Sequence, residues 1–189
     1  MSEYIKVPKG SLKNGLKHAV FAVFYCKDGT PYKKYLDKDS GIDTIPLVLL
    51  QMRRENTIGF PGGKVDKNDA SDGVLTDDIL KRALLRELKE ELNYSSLDIS
   101  KFERLSTYRN EEYFLHSYMY EVTKDEMREI ICTSTTAANF LVESTGCFAF
   151  QLVNYSEKDK GLKNLKRHNF CASTYLELMD LIAHLGITE

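Results

Sequence analysis

The chain has few of the residues that mark disordered, fibrous or disulfide-stapled proteins. Its 189 residues include only 4 Pro and 11 Gly, which excludes a collagen-like or disordered chain. The length suffices for one compact domain with a core and is short for two, so we expect a single domain over residues 1–189. Four scattered cysteines, without CxxC or Cys–His spacing, predict free thiols packed as small hydrophobes in a reducing compartment.

Long apolar segments and a strong charge of one sign are also missing. No N-terminal apolar region and no run of membrane-spanning length occurs, so we expect a soluble intracellular protein, cytoplasmic or nuclear, neither secreted nor in a membrane. Lys plus Arg number 26 against 28 Asp plus Glu, which argues against binding to nucleic acid by bulk positive charge. One basic concentration, residues 158–168, is either an RNA-binding segment or a solvated loop.

Helical and extended patterns alternate along the chain. Apolar runs predict strands at 18–26, 45–52, 102–109, 113–122 and 147–153. Periodic patterns predict helices at 77–92, 123–131, 136–142 and 174–185, with capping boxes at Thr123–Glu126 and Thr174–Glu177. The interleaving favours the α/β class, with a sheet between helices on both faces.

The informative helix carries three carboxylates on one side. Glu87 and Glu91 are i, i+4 neighbours, and Glu90 lies between them within reach of Arg86. On a solvated surface such a cluster is only mildly unfavourable, but when partly buried each pair repels by about 3 kcal/mol at ~5.5 Å. A hard divalent cation such as Mg²⁺ or Mn²⁺, bound between the carboxylates, would replace this repulsion by attraction. The alternative is an ordinary solvated helix face.

A glycine-rich loop precedes this helix. Gly62 and Gly63 follow Pro61, and glycines allow the backbone to approach a ligand or to place a carbonyl on a metal. Most Pro-Gly-Gly stretches are plain turns. The order of loop and acidic helix is therefore the feature that indicates a site.

Loop and helix together resemble the Nudix hydrolase family, whose motif reads G-x5-E-x7-R-E-U-x-E-E-x-G-U, where U is a bulky aliphatic residue. The matching segment covers about residues 62–94, and Arg86, Glu87, Leu88, Glu90 and Glu91 all agree. The resemblance implies a mixed β-sheet in an α/β/α sandwich. It also assigns Gly63 and Arg86 to the framework of the motif.

The match departs from the family pattern at its first acidic position. Asp69 stands five residues after Gly63, but sixteen residues rather than seven separate it from Arg86, while Asp78 satisfies the second count. We interpret this as an insert at about residues 68–77, which leaves Asp69 and Asp78 as alternatives for that position. Asn93 replaces the late glycine of the motif.

The resemblance implies that this region binds two or three Mg²⁺ or Mn²⁺ ions. Their ligands would be the Gly62 carbonyl with Glu87, Glu90, Glu91 and Glu143. Glu87, Glu91 and Glu143 would also act in catalysis, by orienting or deprotonating the attacking water. Glu143 corresponds to a distal carboxylate of the family. Glu111 and Glu112 are its rivals, and a surface role for Glu143 is the alternative.

Shorter motifs resemble the snoRNA-decapping Nudix branch, which hydrolyses capped RNA and inosine-type nucleoside diphosphates. They are His18-Ala19, Leu50–Arg53, Gly59–Gly63 and Asn169-Phe170. The candidate substrate-binding residues are His18, Phe21, Arg53, Phe60 and Lys64, each of which has a core or surface role as its alternative. Capped RNA is the predicted substrate, with free inosine-type nucleotides, ADP-ribose or dinucleotides, or binding without catalysis, as alternatives. The resemblance also implies a homodimer.

Overall fold

A mixed β-sheet with helices on both faces forms the fold. The computed structural model describes residues 3–9, 11–12, 16–30, 41–66, 69, 75–155 and 160–187. Within these residues the strands are β1 (Ile5–Lys6), β2 (Lys17–Gly29), β3 (Ile45–Arg53), β4 (Ile58–Gly59), β5 (Gly62–Lys64), β6 (Glu103–Arg109), β7 (Tyr113–Glu121) and β8 (Ser144–Gln151). The helices are α1 (Asp77–Leu92), α2 (Lys124–Ser134), α3 (Gly161–Leu165) and α4 (Thr174–His184), with a 3₁₀ turn at Ile99–Lys101.

The central strand β2 organises the sheet. It pairs in parallel with β7 from Lys17 to Tyr25, and the remaining pairings between strands are antiparallel. The described strands follow the order β1-β6-β7-β2-β3-β4, with β8 added to β3. The opposite edge of β2 is shared, because β3 pairs with its second half and β5 pairs with residues 19–21. The short β5 therefore brings the glycine turn to the middle of the sheet.

Two apolar clusters cover the two faces of the sheet. One lies under α1 and α2 and includes Phe24, Leu84 and Leu88. The other lies under α3 and α4 and includes Leu162 and Leu178. This arrangement confirms the predicted α/β class with a mixed sheet between helices. Among the described residues, no helix combines the length and apolar character that crossing a bilayer requires.

Helix α1 begins and ends as its sequence predicts. The hydroxyl of Thr76 accepts a hydrogen bond from the Ile79 N–H, and Asn93 ends the helix in the left-handed conformation at φ 49°. The predicted core stripe is fully buried at Leu80, Ala83, Leu84, Leu88 and Leu92. The capping box at Thr123 is also present at the start of α2.

The helix predicted at 136–142 is wrong. The chain makes successive turns there, with Leu141 in a left-handed conformation at φ 63°. The hydroxyls of residues 133–136 donate to backbone carbonyls three residues earlier, which competes with further helix formation. The Asn139 N–H instead donates to the Glu90 carbonyl at 3.2 Å. This contact ties the segment to the carboxyl end of α1.

Two smaller expectations also need correction. The capping box at Thr174 is absent, because Thr174 lies inside α4 and the preceding Ser173 donates to the buried Glu177 carboxylate at 2.9 Å. All four cysteines are free and Cys26 is buried as expected, but Cys132 is exposed on α2. Helix α3 was not predicted. Most of the predicted insert, as well as Lys158, lies outside the described residues.

Candidate active site

The glycine turn lies directly against the acidic side of α1. Gly62 has φ 137°, and a Cβ there would lie 2.1 Å from the Val20 carbonyl oxygen, so only glycine fits. A Cβ on Gly63 would lie 2.4–2.9 Å from the carboxylate atoms of Glu87. The backbone at Gly63 therefore contacts the Glu87 carboxylate, and the two halves of the motif form one site.

Glu91 is the buried acid of this site. Only 1% of the residue is exposed, and its Oε2 accepts a hydrogen bond from the Gly62 N–H at 2.7 Å. Its Oε1 lies 3.3 Å from Nη1 of Arg53. Burial raises the pKa of Glu91, its two partners oppose this shift and the charges of Glu87 and Glu143 add to it, so that the pKa lies at about 7. The group is therefore poised to change its protonation state near neutral pH.

Glu87 is a second half-buried acid beside it. Burial raises its pKa above the ordinary value, Arg86 opposes that shift, and the charges of Glu90 and Glu143 add to it. The Arg86 guanidinium donates to Glu87 Oε1 at 2.9 Å and to the Lys64 carbonyl at 3.0 Å. The predicted pair between Arg86 and Glu90 is longer, at 3.6 Å. Arg86 therefore holds the glycine loop to the helix more than it holds Glu90.

The two candidates for the first acidic position, Asp69 and Asp78, have different surroundings. Asp69 accepts two hydrogen bonds from Arg86, at 3.1 and 3.4 Å, and one from the Asp66 N–H at 2.8 Å. Burial alone would raise the pKa of Asp69, but these bonds outweigh burial and hold it below its ordinary value. Asp78 lies exposed in the first turn of α1. Of the two candidates, Asp69 is therefore the one that binds Arg86.

Of the candidate distal carboxylates, Glu143 is the one whose charge acts on the site. It raises the pKa of both Glu87 and Glu91, although its own side chain is exposed. The segment that carries it is fixed at both ends, since its backbone carbonyl accepts from the Arg54 N–H at 3.0 Å and its N–H donates to Asn139. Glu112 forms an ion pair with Lys17 at the end of β2, and Glu111 is exposed on the same loop.

Gln51 is a site residue that the sequence analysis missed. It is fully buried on β3, and its Oε1 accepts from Arg53 Nη1 at 3.1 Å. Arg53 thus bridges Gln51 and Glu91, so its guanidinium is a counter-ion of the acidic site. Gln51 belongs to the Leu50–Arg53 motif, in which the sequence analysis assigned a role to Arg53 and none to Gln51, and it lies forty residues from Glu91.

A cavity of about 380 Å³ opens beside the glycine turn, and Gly62 and Gly63 form part of its wall. Arg53 and Lys64 line it together with Phe21, which is half-buried on β2. These three predicted substrate residues therefore share one pocket. Its far end is formed by residues that the sequence analysis missed, Tyr4, Asn110 and Tyr113.

Two predicted substrate residues are placed differently. The Phe60 ring lies at the wall of the cavity but is 1% exposed within the core, which contradicts a stacking role. His18 is 3% exposed, and its Nδ1 lies 3.0 Å from Nε2 of His116. Arg104 lies 2.9 Å from the other nitrogen of His116 and can only donate, so the neutral His116 donates to His18. His18 is a buried structural histidine, outside the cavity.

The donor set fits a hard divalent cation in its chemistry. The carboxylates raise one another's pKa by repulsion, and the glycine backbone lies close to them. A divalent cation bound here would stabilise this arrangement. In the described part of the chain, no three Glu, Asp, His or Cys side chains stand close enough together to enclose a metal ion. Glu90 is partly exposed, and Arg53 and Arg86 neutralise Glu91 and Glu87.

Comparisons with known proteins find relatives both by sequence and by fold. The U8 snoRNA-decapping enzyme of Ovis aries is 25% identical over 179 residues, which cover 93% of this chain and 85% of that protein. The enzyme of the same name from Homalodisca vitripennis is 29% identical over 165 residues, covering 85% and 82%. A mutT/nudix family protein from Listeria innocua shares the fold with a TM-score of 0.52 at 12% identity, covering 90% and 93%.

A second solved structure, the NUDIX domain of Shewanella oneidensis NrtR complexed with ADP ribose, aligns with a TM-score of 0.50 at 14% identity, covering 90% of this chain and 89% of that one. Fold and site together define a Nudix hydrolase. The chain belongs to the Nudt16-like family, described as U8 snoRNA-decapping enzyme-like, whose model matches residues 18–188.

Proposed function

We propose that this Nudix hydrolase is a divalent-metal-dependent pyrophosphohydrolase that cleaves a phosphoanhydride in a nucleoside diphosphate-linked substrate, with capped RNA as the preferred candidate. The observation that carries the proposal is the contact of Gly62 and Gly63 with Glu91 and Glu87. It puts the backbone turn and two perturbed carboxylates in one place, beside a cavity with cationic lining.

The carboxylates of the site would have two roles, cation binding and proton transfer. Glu87, Glu90, Glu91 and Glu143, with the Gly62 carbonyl, would hold Mg²⁺ or Mn²⁺. When bound, such a cation supplies the charge that activates water and neutralises pyrophosphate oxygens. Whichever of these carboxylates the cation leaves free accepts the proton of the attacking water.

The cavity supports substrate binding beside the glycine turn. Lys64 is exposed at its wall, and Arg53 also lines it, with a buried Nε that has no hydrogen-bond partner among the described residues. Cationic donors at this position suit phosphate oxygens. Arg53 also contacts Glu91, so a bound phosphate and the acidic site would compete for one guanidinium.

Capped RNA is favoured by the decapping relatives, while the near-neutral chain and a cavity sized for one nucleotide favour a free nucleotide as the second candidate. Of the basic segment, Lys163 and Arg167 are exposed beside α3, so an RNA chain outside the cavity is compatible with the fold. A homodimer remains a prediction.

A substrate panel tests the proposal. Capped RNA, inosine diphosphate, ADP-ribose and a dinucleoside polyphosphate are incubated with the protein at one Mg²⁺ and one salt concentration, and products are identified by mass. The variants Glu87→Gln and Glu91→Gln are expected to lose turnover by about a hundredfold or more with the fold retained. Glu129→Gln, an exposed glutamate on α2, is the matched control.

Full activity in either site variant would refute the assignment of the acidic site. Nucleotide binding without a metal-dependent product from any substrate would favour the alternative of a binding module that has lost the chemistry. Cleavage of the small nucleotides alone would select the free-nucleotide hydrolase.

A further inference from the structure

One end of the cavity is aromatic, because Tyr113 lies opposite Lys17 at the start of β2 and Tyr4 packs in the same apolar cluster. Phe21 lies between these two rings and the glycine turn, opposite Gly62. All three rings are partly exposed, and they pack around the same small apolar cluster as Ala19 and Leu115. Aromatic rings that are only half covered by protein provide flat surfaces on which a planar ligand can stack.

The hairpin between β6 and β7 holds this aromatic end in place. The Asn110 side-chain oxygen accepts hydrogen bonds from the N–H groups of Glu112 at 2.9 Å and Tyr113 at 2.7 Å. The Asn110 N–H donates to the Tyr113 carbonyl at 3.0 Å. Three bonds therefore fix the turn that presents the Tyr113 ring.

Asn110 also acts on Tyr4, which precedes β1. Burial raises the pKa of Tyr4, and the Asn110 side chain, which lines the same cavity, lowers it. Asn110 therefore holds Tyr113 through the hairpin and influences Tyr4, which comes from a segment more than a hundred residues away. The Lys17 ammonium lies 5.3 Å from the centre of the Tyr113 ring and forms an ion pair with Glu112, which backs the ring from outside.

The volume of the cavity limits the size of the ligand that it can bind. A cavity of about 380 Å³ is near the lower end of the usual range for ligand pockets, roughly 300–1,000 Å³, and suits one nucleotide rather than two. With phosphates at Arg53 and Lys64, the remaining part of a nucleotide extends toward the tyrosines.

We propose that Phe21, Tyr4 and Tyr113 form a nucleobase subsite, and that Asn110 is its positioning residue. The inference rests on the proposed function for its choice of ligand class, a nucleotide. It adds the place where the base is bound and the hairpin that sets the affinity for it.

Binding without catalysis tests this subsite. Inosine 5′-monophosphate and ribose 5-phosphate, which lacks the base, are titrated into wild type and variants by calorimetry with a chelator present. Tyr113→Leu removes the ring and keeps apolar volume, whereas Tyr113→Phe keeps the ring. Tyr175→Ala is the matched control, because this partly exposed tyrosine packs against Phe170 and does not line the cavity.

We expect Tyr113→Leu to weaken binding of the nucleotide by about 5- to 100-fold and to leave ribose 5-phosphate unchanged. Tyr113→Phe and Tyr175→Ala should match wild type. Asn110→Ala should weaken the nucleotide alone, and in turnover it should raise KM while kcat stays the same. A purely structural role for Asn110 would affect both ligands and lower kcat.

The subsite is refuted if Tyr113→Leu binds the nucleotide like wild type, or if it weakens both ligands equally. If Tyr113→Leu fails to fold, Tyr113→Phe and Asn110→Ala decide, since loss in the former or no change in the latter contradicts the proposal. Base-dependent binding in a protein that cleaves no substrate would remove the proposed function and keep the subsite.

Discussion

Replacing the buried Glu177 by glutamine should stabilise the protein at alkaline pH and not at acid pH. Glu177 is 1% exposed on α4, one of its oxygens accepts from Ser173, and the other has no partner among the described residues. Burial raises its pKa to about 7 from an ordinary 4.5, and the charge of Asp180 adds to the shift. The carboxyl is therefore neutral in the folded state up to neutral pH.

The direction in which stability changes with pH follows from proton binding. Between about pH 4.5 and 7 the folded state holds a proton that the unfolded state has released, so wild-type stability falls as pH rises through this range. At about 1.4 kcal/mol per pKa unit, the full loss is about 3 kcal/mol above pH 7. Glu177→Gln keeps the acceptor for Ser173 and carries no charge, so it avoids that loss.

Urea unfolding of both proteins at about pH 5, 7 and 9 measures the effect. The difference in the free energy of unfolding, glutamine variant minus wild type, should grow by about 3 kcal/mol from the acid to the alkaline end. Taking the difference cancels every group that titrates alike in both proteins. A difference that does not change with pH would refute the reasoning, and Glu129→Gln should show that flat behaviour.

Three further predictions concern the acidic site. Gly63→Ala puts a methyl group against the Glu87 carboxylate, so turnover should fall at least tenfold while the thermal midpoint moves little; unchanged turnover would contradict the contact. Asp69→Asn should cost about 1–2 kcal/mol in urea unfolding and Asp78→Asn less than about 0.5, and equal costs would show that Asp69 is not the anchor. Adding Mg²⁺ should raise the thermal midpoint of wild type more than that of Glu91→Gln, and equal shifts would place the cation elsewhere.

The helix of the motif was predictable because its signals are local. The core stripe, the threonine at its start and the left-handed Asn93 at its end act within a few residues of one another. The segment 136–142 was mispredicted because its conformation depends on a distant group. The bond from Asn139 to the end of α1 sets its course, after the hydroxyls of residues 133–136 have competed for the carbonyls of the preceding helix.

The sequence by itself determined which chemistry is available. The spacing of Glu87 and Glu91 puts two acids on one helix side, and that holds for any fold that keeps the helix. The tertiary structure alone decided what surrounds them. Glu91 is buried and bonded to Gly62, 29 residues away, and it shares a guanidinium with Gln51. A pKa depends on burial and on charges brought together from distant segments, so no local pattern encodes it.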